Sequence, residues 1–217
     1  MSTEKLDALI VRNLRDLDVA SKRLWWDIQG RIGKAINSIA ESWAEKHKWK
    51  GKFGWDTDEL WLAPPEWKSP DSGDEDIWLG CFEFDAGFGD DFDFDAENGL
   101  DVYWLTRLCG AGHGMMCFRW VYGAGLGAKK PKWKKFVNDA AGNWVERVRK
   151  AGFTYDEGSG LFFMPVRAEA ETLATAIEED AVESALELPF QQALDKLLAA
   201  KPEFDAMLER AKKDFSD

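Results

Sequence analysis

The chain has 217 residues with 40 Asp and Glu against 28 Lys and Arg, and its net charge of −12 opposes direct binding to DNA, RNA or anionic lipid. No apolar run approaches the roughly 20 residues that span a bilayer, and the first residues lack the basic and apolar regions of a secretory signal. Three cysteines cannot all pair within one chain, which is typical of a reducing compartment, so the sequence predicts a cytoplasmic protein. The lack of an apolar run predicts no membrane association, and the negative net charge predicts a basic protein as the partner.

The N-terminal segment, residues 1–50, carries apolar residues at intervals of mostly three or four from Leu6 to Trp43. This spacing forms one stripe along an amphipathic helix. It predicts two helices, with a break near Asp18 to Ser21 or near Gly30 to Gly33.

Residues 55–166 combine short aromatic and aliphatic runs with turn residues, which is typical of antiparallel strands joined by short connections. A helical pattern from Trp133 to Ala151 interrupts them, and Gly152 follows as a C-terminal stop. The predicted strands are Glu59–Ala63, Ile77–Phe84, Asp101–Cys109, Met115–Tyr122, Phe153–Tyr155 and Leu161–Val166, with a hairpin turn at Gly110–Gly114.

The C-terminal segment, residues 168–217, is predicted to be helical with restarts at Pro189 and Pro202, because proline suits the first turn of a helix. Since the strands cluster and do not alternate with helices, the fold class is α+β. We expect an antiparallel sheet of about four to six strands flanked by N-terminal and C-terminal helices. No linker divides the chain, so residues 1–217 are predicted to form a single domain.

Charge is segregated along the chain. Residues 56–101 hold 16 Asp and Glu against Lys68 alone, whereas residues 102–151 hold 10 Lys and Arg against two acids. Such an acidic run normally indicates disorder, because like charges repel and swell a chain. Here aromatic residues interleave with the acids, which favours an ordered acidic surface.

Alternation between rings and carboxylates marks the centre of this acidic run. Phe82 and Phe84 alternate with Glu83 and Asp85, and the pattern recurs over residues 92–95. On a strand, alternation places rings on one face and carboxylates on the other. The simplest interpretation is the solvated face of a sheet.

A second interpretation gives the carboxylates a binding role. Acidic residues two apart on a strand lie about 7 Å from each other, which approximates the spacing of phosphates along a nucleic-acid strand. The composition resembles that of DNA-mimicking phage inhibitors of restriction or CRISPR systems. It predicts a non-enzymatic inhibitor or immunity-type protein that occupies a basic, nucleic-acid-binding surface. The expected partner-binding residues are Glu83, Asp85, Asp90, Asp91, Asp93, Asp95 and Glu97.

Two alternatives remain open. Glu66-Trp67-Lys68 matches the E-x-K element of PD-(D/E)XK nucleases over three residues, although two prolines precede it and disfavour a core strand. One alternative is therefore a metal-dependent hydrolase, and the other is an assembly protein whose basic and acidic segments pair between subunits. The candidate hydrolase residues are Asp56, Asp58, Glu66 and Lys68.

The sequence offers weak signals for metals and cofactors. Cys109, His113 and Cys117, together with Cys81, have the donor types of a zinc site, but small core cysteines explain the same residues. Residues 91–95 open like a calcium loop, yet the loop lacks the required glycine and the final glutamate. We predict no metal site and no cofactor.

A basic patch over residues 129–135, with Trp133 at its centre, can in principle bind phosphate or stack a base. Pairing of these lysines with the acidic run, within one molecule or between subunits, is the favoured interpretation.

Overall fold

A computed structural model places the helices and strands of this chain. Within its described residues, helices at both ends flank a six-stranded antiparallel sheet, which confirms the predicted α+β class. None of the described helices is both long and apolar enough to cross a membrane. The structure describes residues 3–57, 59–70, 77–86, 103–111, 114–158 and 160–215, with backbone alone at residues 86 and 140–143.

The N-terminal segment forms a nearly continuous run of helix. It comprises α1 (Thr3–Arg12), α2 (Leu14–Lys22) and α3 (Gln29–His47), with a π-helical segment, Arg23–Ile28, between α2 and α3. Residues 3–28, which precede α3, are here called the N-terminal arm. The backbone departs from helical geometry at Asn13, where φ is −116° and ψ is 21°. The interruptions therefore lie at Asn13 and in the π-helical segment.

The two predicted break sites, Asp18 to Ser21 and Gly30 to Gly33, both lie inside helices, so that prediction was wrong. Gly33 is needed for close packing of α3 against a neighbouring turn. A Cβ at Gly33 would lie 3.2 Å from the backbone of Asp56, so glycine allows the turn before the second strand to approach α3 closely.

The sheet has the strand order β1-β2-β3-β4-β6-β5, and every neighbouring pair is antiparallel. The long central strands β3 and β4 pair along their whole length, from Gly80 opposite Tyr122 to Ala86 opposite Met116. The strands are β1 (Lys50–Gly54), β2 (Glu59–Ala63), β3 (Gly80–Ala86), β4 (Met116–Tyr122), β5 (Thr154–Asp156) and β6 (Leu161–Val166).

The prediction of a strand over Asp101–Cys109 was wrong. Trp104–Leu108 forms a short helix, α4, and Gly110, just beyond its C-cap at Cys109, has a left-handed φ of 59°. The predicted hairpin between this segment and β4 is therefore absent among the described residues, and β4 pairs with β3 instead. A short aromatic and aliphatic run fits a buried helix turn as well as a strand, so periodicity alone cannot separate them.

Strand β1 was missing from the predictions. Its sequence, KGKFG, contains a single large apolar residue, Phe53. Strand formation here depends on pairing with β2, where a Cβ at Gly51 would lie 2.2 Å from the carbonyl oxygen of Trp61. The glycine is required by the close approach of the two backbones.

Three helices complete the fold: α5 (Lys130–Lys150), α6 (Ala170–Glu178) and α7 (Val182–Phe215). Pro189 and Pro202 both lie inside α7, so the predicted restarts were wrong. Each proline removes one backbone hydrogen bond. Burial on both sides of the prolines holds the helix on the sheet regardless, because α7 has eleven buried residues along its length.

The core lies between one face of the sheet and helix α7. Phe84 contacts Phe190 with ring centroids 5.4 Å apart, and Trp120 stacks on Phe204 at 5.1 Å. Phe82 also contacts Phe204, at 5.3 Å. The rings of the alternating stretch thus face inward, as predicted for residues 82 to 84, and each fully buried ring contributes about 1.5–3 kcal/mol through the hydrophobic effect.

Candidate functional site

An ion-paired cluster lies on the face of β3 and β4 opposite to α7. Arg119 is directly across from Glu83 in the register of the two strands. Its Nε and Nη2 donate to Oε2 of Glu83 at 3.0 and 2.8 Å, and its Nη2 lies 2.7 Å from Oδ2 of Asp85. The three side chains expose only 30%, 35% and 36% of their surface, so solvent screens these contacts incompletely.

The two carboxylates fix the charge of Arg119. Burial alone would lower the pKa of Arg119, but the carboxylates of Asp85 and Glu83 outweigh it and raise the pKa above its usual range. Arg119 is therefore a permanent counter-ion, and the cluster as a whole carries a net charge of about −1.

A cavity of about 430 Å³ adjoins this cluster. It lies where β3 ends, next to the point at which the chain enters residues 87–102. Indole rings form much of its wall, and Trp55 meets Trp104 edge to face at 5.7 Å. The lining residues are Trp55, Glu59, Leu60, Trp61, Glu83, Phe84, Asp85, Trp104 and Arg119.

The seven predicted partner-binding residues divide into two groups. Glu83 and Asp85 lie on β3 and form the ion pairs with Arg119. The other five lie outside the described residues: Asp90, Asp91, Asp93, Asp95 and Glu97.

The remaining described carboxylates of the acidic run also have partners within the molecule. Asp56 accepts a hydrogen bond from Nδ2 of Asn37 at 2.6 Å, and Glu59 pairs with Lys52. Glu66 lies 2.7 Å from Nζ of Lys201 on α7. Every acidic residue of the run that the structure describes is thus held by the chain's own side chains.

The described candidate hydrolase residues, Asp56, Glu66 and Lys68, do not come together. Asp56 and Glu66 lie in turns at opposite ends of β2, a strand whose five residues span about 16 Å. Glu66 follows the strand in a 3-10 turn, and the backbone of Lys68 bridges to Trp78. Asp58 lies outside the described residues. Asp56 and Glu66 are therefore not placed to share one metal ion, as the paired carboxylates of such a nuclease do.

The cysteines are packing residues in the described part of the chain. Cys81 lies opposite Val121 and Cys117 opposite Asp85, which separates the two cysteines by about 13 Å along the strands. Burial, with the nearby Glu83 carboxylate, raises the pKa of Cys81 to about 12, so its thiol is neither a ready nucleophile nor a ready metal ligand. Among the described residues, no group of three or more His, Cys, Asp or Glu is arranged to hold a metal, and His113 lies outside them.

The basic patch on α5 does not present Trp133 for stacking. That indole is 1% exposed and packs against Trp120 and Tyr122 with centroids 5.4 and 4.7 Å away. A second cavity, of about 600 Å³, opens beside the patch and is lined instead by Trp144 and Phe136. Its charged rim combines three cations with two carboxylates: Lys132, Lys135 and Arg210 with Asp139 and Asp214.

Two features of the molecule have no counterpart among the sequence predictions. Arg119 interrupts the otherwise apolar strand β4, and this interruption is the signal that a counter-ion faces Glu83. The second feature is a set of exposed apolar side chains on the N-terminal arm, where the amphipathic pattern had no identified partner. These side chains are Leu6, Leu9, Ile10, Val11, Leu14, Leu17, Val19, Trp25 and Trp26.

Comparison with protein-family models, with curated protein sequences and with solved structures found no match to this chain.

Proposed function

We propose that this chain is a non-enzymatic binding protein that uses residues 87–102, here called the acidic segment, to occupy a basic surface of a partner protein. The partner surface is one that otherwise binds nucleic acid, as in the targets of anti-restriction or anti-CRISPR inhibitors. The acidic segment includes five of the seven expected partner-binding residues, and Glu83 and Asp85 lie just before it.

The observation that carries this proposal is the density of acidic residues in the acidic segment. The acidic segment has six Asp and Glu and no Lys or Arg in its own sequence. A net charge of −6 over 16 residues supplies a strong local field for a basic partner.

The two ends of the acidic segment support a binding role. Ala86, just before the segment, pairs with Met116 in the central strands. Tyr103, just after it, contacts Ser21 through a hydrogen bond of 2.7 Å and Trp25 through an edge-to-face contact. Tethering at both ends lowers the conformational entropy that binding must remove, compared with a free acidic tail.

A capture experiment with a charge-matched control tests the proposal. The bait proteins are the wild type, a variant with four Asp→Asn changes in the acidic segment, and a control with four Glu→Gln changes on exposed sites of α6 and α7. We expect the wild type and the control to retain the same protein from a lysate of the source cells, while the acidic-segment variant loses it. The changed residues are Asp90, Asp91, Asp93 and Asp95, and in the control Glu171, Glu178, Glu179 and Glu187.

The captured protein is then purified and bound to a nucleic acid that it recognises. The proposal predicts competition, so that adding the wild-type chain displaces the nucleic acid, with an association rate that falls as salt rises. Equal capture by all three baits contradicts the role of the acidic segment. Simultaneous binding of the nucleic acid and this chain contradicts the site of action.

A further inference from the structure

The N-terminal arm, residues 3–28, exposes apolar side chains on a scale unlike the rest of the molecule. None of its residues in α1, α2 or the π-helical segment is buried. Of the ten large hydrophobic side chains exposed in the described residues, nine lie between Leu6 and Trp26. Most helix stability in proteins comes from packing of an apolar face, and the described part of the molecule leaves most of this face uncovered.

The exposed apolar surface on one side of the arm approaches the area of a stable interface. Six of the nine side chains share that side and are between 40% and 58% exposed, so they present on the order of 600 Å² if each has about 200 Å² of surface, to which the flanking polar side chains add. A standard protein interface buries about 800 Å² on each partner. Apolar patches of this size on soluble proteins mark sites of interaction.

The apolar residues form one continuous stripe across the interruption at Asn13. At about 3.6 residues per turn, Leu6, Ile10, Leu14 and Leu17 share one side of the arm. The backbone N–H of Asn13 still donates to the carbonyl oxygen of Leu9 at 3.2 Å, so the helical hydrogen-bond pattern continues through this residue.

The charges of the arm favour a second copy of the same chain. Residues 3–28 hold five acids and five bases, so the arm is neutral in a chain whose net charge is −12. Asp7 and Asp18 follow one edge of the stripe, while Lys5 and Arg12 follow the other, with Asp16 and Asp27 as exceptions. Asp18 also pairs with Lys22 of its own helix at 2.8 Å. In a parallel pair of helices, opposite edges of the two stripes meet, so acids face bases on both sides; an antiparallel pair brings like edges together.

A lipid surface fits the arm less well. Helices that lie on anionic membranes carry mainly Lys and Arg on the polar face. The polar face of this arm is balanced, and the body behind it is strongly acidic.

From these observations we infer that the N-terminal arm is a homodimerisation element that packs in parallel against the arm of a second copy of this chain. This inference is independent of the proposed partner of the acidic segment. In the dimer, two acidic segments belong to one particle, which allows bivalent capture of a partner.

Size-exclusion chromatography with light scattering on the full chain tests the inference. Between about 1 and 100 µM, we expect the mass to approach twice the 24.6 kDa of one chain. Three Glu substitutions in the stripe should raise the dissociation constant about 100-fold or more. Three Glu substitutions at exposed apolar sites outside the stripe should leave the mass unchanged. The stripe variant is L6E/I10E/L17E, and the control is V11E/V19E/L188E.

Two results overturn the inference. In one, the wild type stays monomeric at the highest concentration; in the other, the stripe variant dimerises as strongly as the control. Circular dichroism in the near ultraviolet checks that both variants keep the packed aromatic core. A monomeric wild type that partitions into vesicles of phosphatidylcholine and phosphatidylserine assigns the stripe to lipid instead. The L6C variant tests orientation: mild oxidation should crosslink two chains in excess of wild type, and no added crosslink excludes the parallel arrangement.

Discussion

Replacing Arg119 with methionine isolates the ion-paired cluster on β3 and β4. The substitution keeps the length of the side chain but leaves Glu83 and Asp85 without their shared cation. Breaking an exposed pair costs about 0–1 kcal/mol and breaking a buried pair about 3–5 kcal/mol. Since these side chains are about one-third exposed, we expect Arg119→Met to lower the free energy of unfolding by about 2 kcal/mol.

Urea unfolding at pH 7 measures this loss, and two further proteins decide its cause. Arg31→Met removes a matched arginine whose partner, Asp180, is 93% exposed, so we expect a change within about 0.5 kcal/mol. Adding Glu83→Gln and Asp85→Asn to Arg119→Met should restore part of the stability, because the unpaired charges are then gone. If Arg119→Met costs no more than Arg31→Met, or the triple variant recovers nothing, the cluster is not an electrostatic unit.

Three further predictions concern pH and backbone contacts. The hydrogen bond from Lys201 lowers the pKa of Glu66, so its stabilisation is present above the ordinary pKa of 4.5 and is lost as pH falls through the lowered value. Urea unfolding should therefore separate wild type from Glu66→Gln by up to about 1 kcal/mol at pH 7, and the two should converge in acid. The raised pKa of Cys81 means that its contribution is complete below pH 9.0 and is lost as pH rises towards about 12. Over that pH range, the free energy of unfolding of wild type should therefore fall more steeply than that of Cys81→Ala. The difference between the two slopes should be up to about 1.4 kcal/mol per pH unit. A Cβ at Gly123 would lie 1.9 Å from the carbonyl oxygen of Trp78, whereas one at Gly30 meets nothing within 4 Å. Thermal unfolding should thus show Gly123→Ala losing about 2 kcal/mol or more and Gly30→Ala gaining about 0.5–1 kcal/mol; equal effects would contradict the backbone contact.

The sequence predicted those helices and strands whose own apolar periodicity shows which side is buried. The alternation in β3 and the helical period of α5 each point one apolar side at the core, and both elements form near their predicted bounds. Strand β1 depends on a partner strand and not on its own composition, so a local pattern cannot reveal it. At Trp104 a strand was predicted where a short helix forms, because a few large apolar residues in a row fit either a strand or a turn of helix.

Tertiary contacts decide which charged side chains pair, and the charge pattern along the chain cannot predict those pairs. Counting along the chain separates an acidic run from a basic one, but only the strand register brings Arg119 opposite Glu83. Likewise, the contact between Glu66 and Lys201 joins residues 135 positions apart in the sequence. A nuclease-like triplet and a salt bridge to α7 are indistinguishable until the fold is known.

Part of the acidic surplus of the chain has a structural role within the fold. Asp195 and Asp205 on α7 accept hydrogen bonds from the indole nitrogens of Trp43 and Trp67 at 2.9 and 2.7 Å, so part of the surplus satisfies the polar atoms of a tryptophan-rich core. Helix α7 as a whole is nearly balanced, with seven acids against five bases, so it contributes little to the field far from the molecule. A partner that responds to charge should consequently be sensitive to the acidic segment and nearly indifferent to the carboxylates of α7.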